Sequence, residues 1–564
     1  MRNLPNTIVL LFSYIFLNGI AACNENNSAP SKELINQIRL KRGNVISCGP
    51  TDKQFGSLSF EMTCNEDTKK DFNLAVQLLH SFEYDESEKV FAKIIDKTPD
   101  CAMAYWGVAM CNFHALWTPP TEAELQKGNK AIEVANTIKG KSERETAYIN
   151  SLATFYNNWE NTDHQTRCYK YEKAMEKLHN NYPNDKEAAI LYALALDASA
   201  KPTDKNYTNQ KKAASILTAL YPSEPNHPGI IHYLIHTYDY PGLAEKALPF
   251  ARKYAGVAPS SAHALHMPSH IFTRLGLWDE CIKSNLVSVA SAKCYAEEAG
   301  IKGHWDEELH GMDYLVYGYL QKGDNKLAEN QLKYLQTIID VSPINFKVAY
   351  SFASIPSRIY LENKKWNEAA KIKLHPANFP WIKFPWQESI VHFSRLLGFI
   401  HLGDINNANN ELAKLNQLHD TLQKQKDIYK SGQVAIQIKT GQAWILFSKG
   451  KITEALNFMK LAAAMEDSTE KHPVTAGEVL PASELLADMY FNAKQYKNAL
   501  LAYEKVLQRS PNRFNSLYGS GVAAEHSGDK PKAIFYYKKL ITTIDITNSE
   551  RPEITKMRNF LAER

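Results

Sequence analysis

The sequence predicts an all-α fold in which pairs of helices stack side by side into a solenoid, after a short irregular N-terminal segment. Two observations lead to this fold class. From about residue 67 onward, amphipathic helical stretches alternate with short polar turns. Small residues also recur at a fixed spacing, since Ala499 and Ala533 lie 533 − 499 = 34 residues apart, as do Ala247 and Cys281 (281 − 247 = 34). Helix pairs that repeat in this way bury their apolar faces only against their neighbours.

The composition fits a globular protein of several packed modules. The chain has 564 residues, of which 44% are hydrophobic and 22% are charged. Its 65 basic and 61 acidic residues give a formal charge of 65 − 61 = +4. So small a net charge creates no field that would steer the protein to nucleic acid, and we expect no nucleic-acid partner.

The longest apolar run lies at the N-terminus, at residues 7–22, and is short for a membrane-spanning helix. We interpret residues 1–22 as a signal peptide. The run ends in the sequence IAAC at residues 20–23, which resembles the bacterial lipobox. This resemblance implies cleavage before Cys23, lipidation of its thiol, and export to the cell-envelope membrane of a bacterium, on the periplasmic or surface face, with a lipid anchor only. The alternative is an ordinary signal peptide followed by an incidental cysteine.

Seven cysteines follow Cys23, and an odd number cannot all pair. Cys48 and Cys64 lie on either side of residues 56–63, the one segment that the sequence predicts to be extended. Closing a loop of about 15 residues stabilises a fold by about 3 kcal/mol, so we predict a Cys48–Cys64 disulfide. Residues 23–66 are thus interpreted as a tether followed by this cysteine-containing segment. No CxxC pair occurs with a second one, which disfavours a thiolate zinc module.

The repeats share a small residue where two helices cross, an aromatic residue one turn later and a proline after the second helix. This pattern resembles the tetratricopeptide repeat, and the resemblance implies a right-handed superhelix of helix pairs. Stretches such as residues 226–229, 263–276 and 310–321 are similar to a group of long bacterial tetratricopeptide proteins. The resemblance supports the fold more than any chemistry.

The solenoid is expected to contain roughly eleven helix pairs. We divide it into an N-terminal array, residues 67–342, which carries the candidate site, and a C-terminal array, residues 343–564. The step from Ala455 to Ala499 is 499 − 455 = 44 residues. Ten extra residues around 471–477 therefore form an insertion, and we expect it at an edge of the array.

Histidines recur in the same register. His232 and His266 occupy the fifth position of consecutive repeats, and His236 and His270 occupy the ninth. Residues spaced i, i+4 share one helix face, and packed helices lie about 8–10 Å apart, so two such pairs can point at one centre. Imidazole is a ligand for Zn, Cu, Fe and Ni. The predicted metal ligands are His232, His236, His266, His270, His310 and Asp313, the last two as ligands or as partners that orient an imidazole.

In the tetratricopeptide family these helix positions line the concave groove, so the resemblance implies that they face a groove here. The further residues expected to line it are His80, Trp106, His114, Asp239, His263, Arg274 and Tyr317. As an alternative, the histidines hydrogen-bond a peptide or one another in a polar groove without metal. For Trp106 the alternative is ordinary packing in the core, and for His80 and His114 it is a polar row unrelated to the other histidines.

The predicted function is an exported lipoprotein that holds a divalent transition metal, Zn, Cu or Fe, in a His-lined groove, either with a ligand or for catalysis. The alternative is a scaffold at the cell envelope that binds a peptide, a protein or a small molecule without metal. No phosphate-binding glycine loop, dinucleotide fingerprint or nucleophile elbow occurs in the sequence. Asp239 and Tyr317 are candidates for an acid or base beside a metal-bound water. The sequence leaves open whether the protein is an enzyme.

Overall fold

The computed structural model describes residues 29–49, 54–116, 119–201, 203–544 and 549–563. This part of the chain is helical almost throughout and consists of successive packed helix pairs, which confirms the all-α, tetratricopeptide-type solenoid. The predicted signal peptide, residues 1–22, and the lipidation site Cys23 lie outside the described residues. Among the helices that the structure describes, none is long and apolar enough to cross a bilayer.

Short turns connect the helices, and helices adjacent in sequence pack against each other. The α-helices are α1 (Lys32–Asn36), α2 (Lys69–His80), α3 (Tyr84–Lys97), α4 (Ala102–Cys111), α5 (Glu122–Thr137), α6 (Glu143–Tyr156), α7 (His164–Asn181), α8 (Lys186–Ser199), α9 (Thr208–Leu220), α10 (Pro228–Tyr238), α11 (Ala244–Val257), α12 (Ala262–His266), α13 (Pro268–Leu275), α14 (Trp278–Glu298), α15 (Asp306–Gln321), α16 (Asn325–Leu335), α17 (Phe346–Glu362), α18 (Trp366–Ala369), α19 (Pro385–His401), α20 (Ile405–Lys424), α21 (Ile428–Ser448), α22 (Ile452–Asp467), α23 (Ala482–Asn492), α24 (Tyr496–Arg509), α25 (Phe514–His526), α26 (Lys530–Thr543) and α27 (Pro552–Ala562). The remaining elements are 3-10 helices at Glu66–Thr68, Trp159–Asn161 and Trp381–Lys383, and two short parallel strands, β1 (His304–Trp305) and β2 (Val341–Ser342).

Small residues sit where packed helices cross, both within a pair and between consecutive pairs. Cys281 of α14 is fully buried. At Gly107 of α4 a Cβ atom would lie 2.3 Å from the ring of Phe91 in α3, and at Gly519 of α25 it would lie 2.4 Å from the ring of Tyr503 in α24. Each glycine therefore lets an aromatic ring of the preceding helix seat directly against its backbone, and this close contact sets the spacing of the helices.

The solenoid curls back on itself, so that much of its inner face is enclosed. Helix α2 packs against α10, and the Nδ1 atom of His80 lies 2.8 Å from the hydroxyl of Tyr233, which follows it by 153 residues. In the same way α15 packs against α25, and the Trp278 indole donates to the carbonyl of Asn512 at 2.9 Å. Side chains on the inner helices of the central repeats therefore face other parts of the protein.

The predicted Cys48–Cys64 disulfide is wrong. Cys48 is bonded to Cys294 of α14, and Cys64 is bonded to Cys101, which precedes α4. The prediction gave weight to the short loop between the two cysteines, whereas the N-terminal segment crosses the solenoid and meets α14 at one cysteine and α4 at the other. Three further described cysteines are buried thiols: Cys111, Cys168 and Cys281.

The insertion, residues 468–481 between α22 and α23, lies over the inner helices, and its expected place at an edge of the array is wrong. Lys471 and Val474 of the insertion are buried. Arg358 of α17 donates to the carbonyl of Gly477 at 2.6 Å, and the Tyr350 hydroxyl donates to the same oxygen at 3.0 Å. Hydrogen bonds from buried side chains to its backbone hold the insertion inside the solenoid, where it occupies part of the space expected to be an open groove.

Candidate metal centre

Six histidines of the central repeats meet on the inner face. They come from α10 (His232 and His236), α12 (His263 and His266), α13 (His270) and α15 (His310). The first triad is His232, His236 and His263, and the second triad is His266, His270 and His310. Within each triad, one ring nitrogen of every residue lies within 4.8 Å of the others. The structure thus brings five of the predicted ligands together with His263, which was expected only to line the groove, and divides them between two centres instead of one.

A proline shapes the helix that joins the two triads. Pro268 begins α13 and separates it from α12 at Met267, because proline has no N–H to donate to the helix ladder. His266 ends α12 and His270 lies in the first turn of α13, yet their ring centroids are 5.0 Å apart. The i, i+4 relation seen in the sequence therefore survives the break.

In the first triad the ring nitrogens converge on His232. Its Nε2 atom lies 2.9 Å from Nε2 of His236 and 3.2 Å from Nε2 of His263. Its Nδ1 atom lies 2.6 Å from the backbone carbonyl of His80. Because a carbonyl oxygen only accepts hydrogen bonds, this Nδ1 carries the proton and Nε2 carries a lone pair. The Nε2 atoms of His236 and His263 therefore both face the one lone pair on Nε2 of His232. That lone pair can accept a hydrogen bond from only one of them.

In the second triad His266 and His270 face each other, with their Nε2 atoms 3.1 Å apart. Nδ1 of His266 lies 2.6 Å from Oδ1 of Asn285, and the Asn285 amide is oriented by donation from its Nδ2 to the Cys281 carbonyl. Nδ1 of His270 lies 3.3 Å from Oδ2 of Asp239. Both partners are acceptors, so both Nδ1 atoms carry protons and both Nε2 atoms carry lone pairs.

Burial keeps these imidazoles neutral. His232 and His266 are fully buried, and burial lowers the pKa of each well below its usual range. The same cause lowers the pKa of His263 to about 3. Burial also lowers the pKa of His270 and outweighs the opposing effect of Asp239. Neutral imidazole is the form that coordinates a metal.

A charged network adjoins the second triad. Asp239 accepts from Arg274 of α13 at 2.8 Å and pairs with Lys471 of the insertion at 3.2 Å. Burial raises the pKa of Asp239, but Lys471 and Arg274 outweigh this effect and leave the pKa well below its usual range. Burial lowers the pKa of Lys471 to about 8. The insertion therefore contributes a cation to the surroundings of the site.

Two residues predicted at the site face away from it. Asp313 accepts from the Ser354 hydroxyl at 2.7 Å and from Arg358 at 3.2 Å, so a buried guanidinium takes the place of the expected metal. Tyr317, one turn later in α15, accepts from Arg513 at 3.3 Å. Their face of α15 points towards α17 and α25, and the structure gives neither residue a contact with the triads.

His80 belongs to a third group of titratable side chains. Its Nε2 lies 3.0 Å from one oxygen of Glu187, and Nε2 of His227 lies 2.8 Å from the other oxygen. One carboxylate thus binds both imidazoles by ordinary hydrogen bonds, and this group does not require a metal. His80 affects the first triad through its backbone and not through its imidazole, because its carbonyl fixes the tautomer of His232.

The remaining predicted groove residues lie apart from the triads. His114 pairs with Glu124 at 3.1 Å. Trp106 is buried, and its ring lies 5.7 Å from that of Phe60 and 5.6 Å from that of Tyr148. Trp106 is therefore a core residue, as its alternative interpretation expected.

Sequence reasoning missed three residues that orient the histidines. Asn285 lies on the second helix of its pair, four residues after the crossing residue Cys281, and this spacing was the available signal. Glu187 and His227 gave none, because they are 40 residues apart and meet His80 only through the closure of the solenoid.

Comparisons with known proteins identify a repeat in one part of the chain. Residues 482–548 match the family model of the tetratricopeptide repeat. No curated protein matches the sequence. Among solved structures, the human IFIT1 dimer with m7Gppp-AAAA is 12% identical over 82% of this chain and 94% of that chain, with a TM-score of 0.35. The APC/C hetero-tetramer Cut9-Hcn1 is 13% identical over 88% of this chain and 97% of that chain, with a TM-score of 0.25.

Proposed function

We propose that this tetratricopeptide-type solenoid binds transition-metal ions in its first and second triads. The proposal rests on the distance of 3.1 Å between the Nε2 atoms of His266 and His270, each of which carries a lone pair. Lone pairs at this distance repel each other unless a positive ion lies between them. Burial disfavours a proton in that role, because it lowers the pKa of both residues. A metal ion is the cation that neutral imidazoles bind.

The distances in the first triad support the same interpretation. With Zn–N bonds of about 2.0–2.1 Å, tetrahedral geometry places two ligand nitrogens about 3.3 Å apart. The Nε2 atoms of His236 and His263 lie 2.9 and 3.2 Å from that of His232. A carbonyl, an amide or a carboxylate bound to Nδ1 is also the usual means of orienting a metal-binding histidine. Both triads therefore resemble preorganised metal-ligand sets.

The chemistry of the donors narrows the class of metal. Nitrogen-only ligand sets favour Zn, Cu, Fe or Ni over Mg or Ca, and neither triad includes a thiolate. Three imidazoles leave a four-coordinate ion with one position for water or another ligand. A bound metal would lower the pKa of that water, and the role of the chain is to orient the imidazoles and exclude bulk solvent.

Elemental analysis of the mature protein tests this function. Wild-type protein dialysed into metal-free buffer is expected to retain a transition metal. The double variant His232→Ala/His266→Ala is expected to lose it, because each substitution removes one imidazole from a triad. The matched control is His419→Ala, which removes a histidine of α20 outside both triads. Equal and negligible metal in wild type and double variant, with unchanged circular dichroism, would contradict the proposal.

A scaffold that binds a protein or peptide is the second candidate function, and the repeat match supports it, whereas metal binding depends on the histidine geometry. The match covers residues 482–548, and helices in this part expose large apolar side chains, Leu501 at 63% and Phe535 at 58%. This surface and the triads use different parts of the chain. A defined partner that wild type and the double variant capture equally well in chelator would favour the scaffold function.

We propose further that the protein is exported and held at a bacterial cell envelope by lipid on Cys23. The sequence at residues 20–23 supports the anchor. The disulfides support an oxidising compartment, since such bonds are rare in proteins of a reducing cytosol. The variant Cys23→Ser is expected to move from the membrane fraction to the soluble fraction of lysed cells. Retention of this variant in the membrane fraction would contradict the anchor.

A further inference from the structure

We propose that the two triads act as one two-metal unit that holds a small anion between its ions. The proposal depends on the proposed function, because each triad must first bind an ion. It adds a ligand class, namely hydroxide or another anion of comparable size, and a stoichiometry of one such anion for each pair of ions.

The two triads adjoin each other. The ring centroids of His236, in the first triad, and His270, in the second, are 6.2 Å apart. His263 and His266 belong to different triads but both lie on α12, a helix of only five residues. Two-metal sites in proteins place their ions about 3.5–4 Å apart. Ions held by imidazoles this close together are within reach of a single bridging ligand.

The charges around the triads require an anion from solution. Two divalent ions would bring four positive charges into a buried site whose six ligands are neutral. Of the described carboxylates beside the second triad, Asp239 pairs with two cations, Arg274 and Lys471. Asp306 and Glu307 share the single cation of Lys347, so they leave one negative charge. Glu83, which binds the Ser261 hydroxyl at 2.6 Å, supplies at most one negative charge. The charge that remains must be offset by a bound anion.

The coordination and the burial of the site set the size of that anion. Each ion keeps one position that its three imidazoles do not fill. His232 and His266 are fully buried and His270 is 2% exposed, so only a ligand of a few atoms fits beside them. The hydroxyl of Tyr314 lies 3.5 Å from Nε2 of His270 and donates to the Val474 carbonyl at 3.3 Å, so a rotation of its O–H would let it donate to an anion bound there instead. These features favour hydroxide, or azide as its experimental substitute, over a phosphate ester or a peptide.

Copper(II) titration with electron paramagnetic resonance tests the bridge. The chelator-treated full-length chain is expected to bind about two Cu(II) ions per molecule. Its spin count should fall well below two, because a bridging anion couples the two unpaired electrons. Azide should then bind once per copper pair and change the absorption spectrum. The variant His310→Ala, which removes one ligand of the second triad, is expected to bind about one Cu(II) with a full spin count and no pairwise azide effect.

The outcomes separate this inference from the function on which it depends. Two bound Cu(II) ions with two full spins, unaffected by azide, would show independent sites and overturn the bridge while metal binding stands. A single bound Cu(II) in the wild type would also overturn it. Absence of any tight copper or zinc binding would instead remove the proposed function itself. Thermal melts of wild type and His310→Ala show whether a lost signal reflects unfolding.

Discussion

Replacing Arg513 with methionine is expected to lower the free energy of unfolding by about 3–5 kcal/mol. The guanidinium of Arg513 is fully buried; it pairs with Glu362 of α17 at 2.6 Å and with Glu484 of α23 at 2.7 Å. It also donates to Tyr317 of α15 at 3.3 Å. Its removal would leave two carboxylates in the interior without their cation, and the cost of an unpaired buried charge dominates such variants.

Urea unfolding followed by circular dichroism measures this loss. The matched control is Arg252→Met, because Arg252 pairs with Glu280 at 2.8 Å but both side chains are at least one-third exposed. A pair of this kind contributes less than about 1 kcal/mol. Adding Glu362→Gln and Glu484→Gln to Arg513→Met should restore part of the stability. Equal destabilisation by the Arg513 and Arg252 substitutions would show that the buried network does not hold α25 against the inner helices.

Local features of the fold follow from the sequence, but the closure of the solenoid does not. The 34-residue register marks the crossing points, and residues such as Ala247 and Cys281 are buried where it places them. A repeat pattern describes contacts between neighbouring pairs. It carries no information on how α2 meets α10 or on where Cys48 finds its partner, 246 residues away. The Cys48–Cys64 prediction failed for this reason.

The candidate site likewise has features that follow from the repeat pattern and features that depend on the folded chain. Histidines at repeated i, i+4 positions were predicted to approach one another. In the structure His232 lies beside His236, and His266 lies beside His270. Asp313 fits the same register, but a buried arginine 45 residues later binds its carboxylate. The insertion fits no register at all, so nothing in the repeat pattern places Lys471 beside Asp239. Periodicity therefore predicts the positions of the clustered histidines, and only the folded chain shows which charges surround them.

Replacing Asn285 with alanine is expected to weaken metal binding at the second triad by about 10–100-fold and to leave the first triad unchanged. The Oδ1 atom of Asn285 lies 2.6 Å from Nδ1 of His266 and fixes the tautomer that keeps the Nε2 lone pair available. Without this acceptor the proton can move to Nε2, and the imidazole no longer faces His270 as a ligand. Competition with a chromophoric chelator, resolved into two binding steps, measures the affinity of each triad.

A second pair of variants separates tautomer control from loss of the amide's hydrogen bond to the helix backbone. Asn285→Asp keeps an acceptor at the same position and is expected to retain wild-type affinity. Asn416→Ala is the matched control, because the Asn416 amide donates to the carbonyl of Leu412 at 2.8 Å in the way that the Asn285 amide donates to Cys281 at 2.8 Å, but on α20, outside both triads. If Asn285→Ala binds metal as tightly as Asn416→Ala does, the amide does not select the tautomer. If Asn285→Asp binds metal as weakly as Asn285→Ala does, an acceptor at this position is not sufficient. The neutral amide itself would then be required.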